Sequence, residues 1–243
     1  MRVNVYAEEI TGRVELVKTT ADTGAGFIGV RFYLKSHPDA TWNPVTGCSQ
    51  VSPGCVNCYA EHLATGRLKG KKGYPGLPWT AANAPTNVIL HPDRLDAPLH
   101  WREPRRVFVN SMSDLFHEQV PDEFVAAVFG AMARARQHTF QVLTKRPDRM
   151  LAVMSGMEPA EAIANLGVTL PRAFERPFDK EEALSLDWPL PNVWLGVSVE
   201  DQRRADERIP ILAKVPAAVR FLSAEPLLTT VDFRKWLGYK LPA

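Results

Sequence analysis

The sequence predicts an α/β protein, a partial (β/α) barrel of about six parallel strands with a small N-terminal antiparallel β appendage. Two observations carry this. From Thr41 onward, short apolar runs end abruptly in polar residues and are followed by stretches of helical character; strands apolar throughout and alternating with helices indicate a parallel sheet covered by helices. The first 35 residues differ, with β-type runs separated by glycine-containing turns. A doubly wound sheet is the other architecture this alternation allows, because closure cannot be read from a sequence.

Taken in order, residues 3–7, 14–17 and 27–34 read as strands, with Gly12 and residues 23–26 as turns. Three short strands bury little alone, so the appendage (residues 1–38) is expected to pack on the main domain or on another copy of the chain. His37-Pro38-Asp39 marks the boundary, and residues 39–243 form the barrel. Its strands are expected at residues 41–45, 87–91, 106–110, 139–143, 193–197 and 219–222. Pro121-Asp122-Glu123 opens an amphipathic helix with the stripe Phe124, Val125, Val128, Phe129 and Met132. Further helices follow Pro147-Asp148 and run from Ala205 to Ala213. Residues 156–190 are too long and too rich in Pro and charge for a normal connection, and read as an insertion or lid.

In parallel-stranded folds ligands collect at the carboxyl ends of strands, where the connecting loops converge. The polar pairs there are Ser113/Asp114, Thr144/Lys145, Ser198/Glu200 and Ser223/Glu225. Each alone reads as a helix cap or surface group; four on one rim point to a pocket. No G-x-G-x-x-G or G-x-x-x-x-G-K-[ST] supplies a phosphate-binding loop.

Composition narrows the classes. Of 243 residues 45% are hydrophobic, which excludes wholesale disorder, and a net charge of +2 excludes a surface that is basic throughout. No apolar run is long enough to span a bilayer, and the N-terminus lacks the features of a signal peptide, so the expectation is a cytoplasmic protein without membrane contact. All three cysteines lie between positions 48 and 58, as C-x6-C-x2-C directly after the first barrel strand. Three thiolates on one Gly/Pro-containing loop repel one another unless a cation neutralises them, which suggests metal rather than a disulfide.

Two metal readings and a plain one fit this spacing. Cys48, Cys55 and Cys58 can hold a 4Fe–4S cluster, leaving one iron open to a small chelating molecule. Alternatively, His62, four residues after Cys58, completes a Cys3His site for structural zinc, giving a non-catalytic binding module. The plain reading is three reduced thiols in a packed loop. His91, His100, His117 and His138 are scattered and read as surface or capping residues. The basic stretches 67–72 and 102–106, with Trp79 and Trp101 nearby in sequence, read either as solvated loops or as phosphate and base contacts for nucleic acid.

The glycine before Cys48 and the ending Cys55-Val56-Asn57-Cys58-Tyr59-Ala60 resemble the radical S-adenosylmethionine (SAM) enzymes, closest to their spore photoproduct lyase-like branch. The chain departs from that pattern in its first gap, six residues instead of three, and at Asn57, where an aromatic residue is usual. It more specifically resembles a phage-associated (phage Gp37/Gp68-like) family of uncharacterised function with this wider three-cysteine motif, over residues 41–61, 107–120, 138–150, 193–201 and 220–228.

The resemblance implies a bacterial or phage-infected cytoplasm and an enzyme that binds a 4Fe–4S cluster through Cys48, Cys55 and Cys58. SAM would bind the open iron and, on one-electron cleavage, give a 5′-deoxyadenosyl radical that abstracts hydrogen from an unknown substrate, a nucleotide or nucleic acid by analogy with that branch. An electron donor such as flavodoxin or ferredoxin follows. On this reading Tyr59 packs on the adenine or the cluster, Ser113 and Asp114 face the SAM ribose or amino group, Thr144 and Lys145 its carboxylate, and Ser198 and Glu200 ribose or substrate. The family pattern continues past residues 228–232 into another strand and lacks the β appendage, so the chain is expected to be shortened at one end and extended at the other.

Overall fold

The computed structural model describes residues 13–18, 28–33, 38–156, 187–233 and 236. The strand expected at residues 3–7 and nearly all of the expected insertion lie outside the described residues. In the appendage, β1 (Arg13–Lys18) and β2 (Ile28–Tyr33) pair antiparallel, with Arg13 opposite Tyr33.

The main sheet has five parallel strands in the order β3 (Ala40–Trp42), β6 (Arg106–Val109), β7 (Thr139–Thr144), β8 (Val193–Ser198) and β9 (Val219–Ser223). The appendage strand β1 lies against β9. The spatial order follows the chain order without reversal, so the described strands contain no topological switch point. Right-handed crossovers then carry successive connections over the same side of the sheet.

The strand count corrects the expectation of six. Residues 41–45 do not form one strand: the chain leaves the sheet at Asn43-Pro44, and β4 (Val45–Thr46) turns away to pair antiparallel with β5 (Ile89–Leu90). Pro44 has no N–H to offer a ladder. The Asn43 side chain substitutes for a strand neighbour, its Oδ1 accepting from the Met112 amide at 2.9 Å, while the Pro44 carbonyl accepts from the His91 amide at 2.8 Å. The segment expected as a sixth parallel strand is therefore the outer half of this small ladder.

Helices α1 (Tyr59–Thr65) and α2 (Ala84–Asn87) lie in the long β4–β6 connection, and α3 (Asp122–Arg134), α4 (Pro147–Gly156) and α5 (Gln202–Leu212) follow β6, β7 and β8. Asp122 and Glu123 complement the dipole at the start of α3, and the Asp201 carboxylate caps α5 by accepting from the Arg204 amide at 2.7 Å. The predicted stripe on α3 is only half its story, since every residue from Phe124 to Ala133 is buried. Ala126, Ala127, Gly130, Ala131 and Ala133 let a second layer approach: the turn Ala97–His100 packs on α3, and Trp188 sets its ring 6.0 Å from that of Phe129. Each large side chain fully buried here, Phe129 and Phe140 among them, contributes about 1.5–3 kcal/mol through area removed from water. Among the described residues no helix is long and apolar enough to cross a membrane.

Candidate functional site

The cysteine loop is hung from the end of β4 by a residue that has to be glycine. Gly47 has φ +84°, and a Cβ there would lie 1.9 Å from the Asn87 carbonyl oxygen. Its amide donates to the Met112 carbonyl at 2.9 Å, and it bridges to Ser113, whose hydroxyl donates to the Val45 carbonyl at 2.8 Å. The loop then passes through a single 3-10 turn, Pro53–Cys55, and ends with Cys58 at the N-cap of α1. Gly54 sits against the Glu200 side chain, with a Cβ position only 3.1 Å from its carboxyl carbon. Tyr59, largely exposed, donates its hydroxyl to the Ser111 carbonyl at 2.6 Å.

Cys48, Cys55, Cys58 and Tyr59 line an open cleft of about 150 Å³ together with Ser113, Asp114, Thr144, Lys145 and Ser198 from the ends of β6, β7 and β8. Apolar walls come from Val51, Trp79, Phe108 and Leu143. Of the residues singled out from the sequence as cluster or SAM contacts, only Glu200 does not reach this cleft. It is fully buried and paired with Arg208, Nη1 to Oε2 at 2.9 Å, and Arg208 Nη1 also donates to the Ser198 carbonyl at 2.6 Å. Ser223 is buried at the end of β9, and the Glu225 carbonyl, not its side chain, meets the Ser198 hydroxyl at 3.1 Å; neither lines the cleft.

One carboxylate and one guanidinium organise the floor. Asp114 Oδ1 accepts from the Phe116 amide at 3.0 Å and the Thr144 hydroxyl at 2.7 Å, and Oδ2 from the Lys145 amide at 3.1 Å and Arg146 Nη1 at 3.2 Å. Arg146, only 6% exposed, reaches from the start of α4 back to the cysteine loop. Its Nη2 donates to the Ser49 carbonyl and hydroxyl, both at 3.0 Å, its Nη1 also to Cys48 Sγ at 3.6 Å, and its Nε to Glu118 at 3.1 Å. Burial works against the Arg146 charge, but Asp114, Cys48 and Glu118 outweigh it and hold the guanidinium more firmly protonated than a free one. The Cys48 thiol is pushed up to about 12, by burial first and by Asp114 second, with Arg146 opposing both.

Behind the loop, the buried His117 ring accepts from the Gln119 amide at Nδ1, 3.0 Å, and so donates from Nε2 to the Ser49 hydroxyl at 2.9 Å. Burial, then the Arg146 charge, lower its proton affinity, in keeping with that neutral tautomer. Ser49 Oγ thus accepts two hydrogen bonds and keeps its own proton to donate. Asn110, with φ +60° at the end of β6, accepts from the Val45 amide through Oδ1 at 3.3 Å, while its Nδ2 is 4%-exposed-residue deep in the wall without a partner among the described residues. Lys145 donates from Nζ to the Ser198 hydroxyl at 2.8 Å and has no carboxylate partner among the described residues. The cleft therefore offers the Lys145 ammonium as a donor, while the oxygens of Asp114 are already engaged and Asn110 Nδ2 lies buried behind the wall. That wall suits a ligand rich in acceptor oxygens and negative charge.

Several expectations change here. His91, His117 and His138 are buried rather than at the surface. His91 Nε2 bonds Thr46 Oγ1 at 2.8 Å, and His138 takes the Arg105 amide at Nδ1 and meets the Pro98 carbonyl at Nε2. Trp79 is buried between α1 and Met112, so its ring is not free to stack on a base. Arg105 covers Trp101 at 5.3 Å, whereas Arg67, Lys69, Lys71 and Lys72 are exposed, with Lys72 paired to Asp93. His62 is exposed on α1 and does not line the cleft. Sequence reasoning passes over Arg146, Asn110 and Ser49, and reads His117 as a surface or capping residue. Their only signals are adjacency to a named residue and, for Asn110, a strand end.

The three thiols are free and half-buried. Among the described residues no three or more His, Cys, Asp or Glu side chains gather around a point where one metal ion could sit. A single ion needs such convergence. An iron–sulfur cluster takes each thiolate on a different iron, so unpaired cysteines bordering one open cleft fit it on the chemistry of the donor set. A family model described as "Protein of unknown function (DUF5131)" matches residues 35–237. No curated protein and no solved structure matches the chain.

Proposed function

The chain belongs to the DUF5131 family, and from that premise we propose that it is an enzyme of radical SAM type built on a partial (β/α) barrel. Cys48, Cys55 and Cys58 hold a 4Fe–4S cluster, and SAM occupies the rest of the cleft. The observation that carries the reading is that three unpaired thiols and the Lys145 ammonium border the same cleft at the carboxyl ends of parallel strands. The unreversed strand order suits an arc of a barrel, in which the loops above β6, β7 and β8 face one centre.

When bound, such a cluster supplies an electron and one open coordination position. The residues of this chain bind and orient. The Lys145 ammonium pairs with the SAM carboxylate, a charge-assisted contact in a partly dry cleft. Val51, Phe108 and Leu143 exclude water from the reacting region. Tyr59, fixed through its hydroxyl, presents its ring at the mouth. A flavodoxin- or ferredoxin-like donor would approach the loop where Val51 and Val56 are exposed. A nucleotide or nucleic-acid substrate would find Arg67, Lys69 and Lys71 exposed beyond α1.

The test is anaerobic purification with iron and sulfide analysis, followed by paramagnetic resonance of the reduced protein with and without SAM. About four irons, a SAM-dependent change in the spectrum and 5′-deoxyadenosine as product are the expected results. Lys145→Met should keep the iron and bind SAM at least tenfold more weakly by calorimetry. A colourless protein without iron, or a cluster indifferent to SAM, overturns the proposal.

A further inference from the structure

We infer that Arg146 is a positioning residue that sets the reduction potential of the cluster, by holding a cation and an N–H against the sulfur of Cys48, with Asp114 as the opposing charge; this rests on the reading above. Three observations point to it. Arg146 is the buried cation in contact with a cysteine of the loop, and its Nη1 is shared between Cys48 Sγ at 3.6 Å and Asp114 Oδ2 at 3.2 Å. Tethering the loop does not need that contact, because Nη2 already holds Ser49 through two bonds at 3.0 Å. The surroundings are dry, with the Arg146 and Asp114 side chains 5% and 8% exposed, so neither charge is damped by water as that of Glu118, 61% exposed, is.

The consequence follows from charge. Reduction adds one electron to the cluster and its thiolates, and a cation donating a hydrogen bond to sulfur stabilises the more negative state. Arg146 therefore raises the potential, and Asp114, an anion on the same guanidinium, lowers it. Glu118, on the solvent side, contributes little. The effect is read in the one-electron equilibrium rather than in turnover.

The experiment is a redox titration of anaerobically purified protein, followed by paramagnetic resonance, on the wild type and on Arg146→Gln, Asp114→Asn and Glu118→Gln, with iron and sulfide measured for each. Arg146→Gln should make reduction at least tenfold less favourable, a fall of about 59 mV for a one-electron couple. Asp114→Asn should shift it the opposite way, and Glu118→Gln should leave it in place. Opposite shifts cannot come from a merely loosened loop. If Arg146→Gln does not load iron, Asp114→Asn alone decides: an unmoved or lowered potential overturns the inference. Equal potentials in fully loaded wild type and Arg146→Gln overturn it too. A wild type that takes up no iron overturns the cluster reading and this inference with it, a failure recognised before any titration.

Discussion

Replacing Glu200 by Gln removes a charge from the least exposed ion pair among the described residues. Glu200 is fully buried and Arg208 is 4% exposed. The carboxylate takes Nη1 at 2.9 Å and Nη2 at 3.4 Å, and among the described residues the other acceptor for Arg208 is the Ser198 carbonyl. An amide keeps the volume and loses the neutralisation, leaving a buried guanidinium short of a counter-charge. Breaking a buried pair in this way costs about 3–5 kcal/mol. With a urea slope of about 3 kcal/mol per molar, the unfolding midpoint should fall by about 1–1.7 M. Removing both charges in Glu200→Leu/Arg208→Met should restore most of that loss. SAM affinity of the folded Glu200→Gln protein, measured by calorimetry well below the transition, should stay within a factor of two or so of wild type. An unchanged midpoint with lost SAM affinity would refute the reasoning, because Glu200 would then be facing ligand.

Gly47→Ala combines a left-handed backbone, about 1–2 kcal/mol for an L-residue, with a Cβ driven into the Asn87 carbonyl. Its urea midpoint should drop and its iron content with it, and wild-type values for both would show that the loop does not depend on this turn. His62→Ala should leave metal content by elemental analysis unchanged, since the ring is exposed and off the cleft; loss of one zinc would restore the Cys3His reading. His91 and His117 both have proton affinities lowered first by burial and second by a nearby arginine. The unfolded chain therefore binds protons more readily than the folded one below the ordinary histidine pKa. Their contribution is complete above about pH 6.5 and is lost as pH falls through the folded-state values. Urea midpoints should decline between about pH 7.5 and pH 5.5, and decline less in His91→Asn/His117→Asn; a flat profile in the wild type would contradict the burial argument.

The alternation of apolar runs with helical stretches located β6, β7, β8 and β9 within a residue or so, because strands buried on both faces leave little room for any other pattern. It misplaced residues 41–45 and 87–91, where a proline and an asparagine side chain redirect the backbone, a local choice made by partners 68 or 69 residues away. The cysteines and the strand-end polar residues were legible from their positions, and the structure gathers all the proposed contacts but Glu200 on one cleft. The strand-end rule names positions, not directions: Ser198 points in and Glu200, two residues on, is taken by α5. Arg146 stands next to Lys145 and was invisible for the converse reason. Nothing in a run of Thr-Lys-Arg-Pro says which cation will be buried against a cysteine and which will face ligand.

Because spatial neighbours in the main sheet are also successive in the chain, the sheet can extend from one edge as the polypeptide leaves the ribosome. The cleft cannot form so early. Cys48 meets its guanidinium partner 98 positions later, and Lys145 meets Ser198 another 53 positions on. On the proposed reading, a cluster offered during synthesis would find bare thiols on an unfinished rim, so delivery to the released polypeptide is the route this topology would favour.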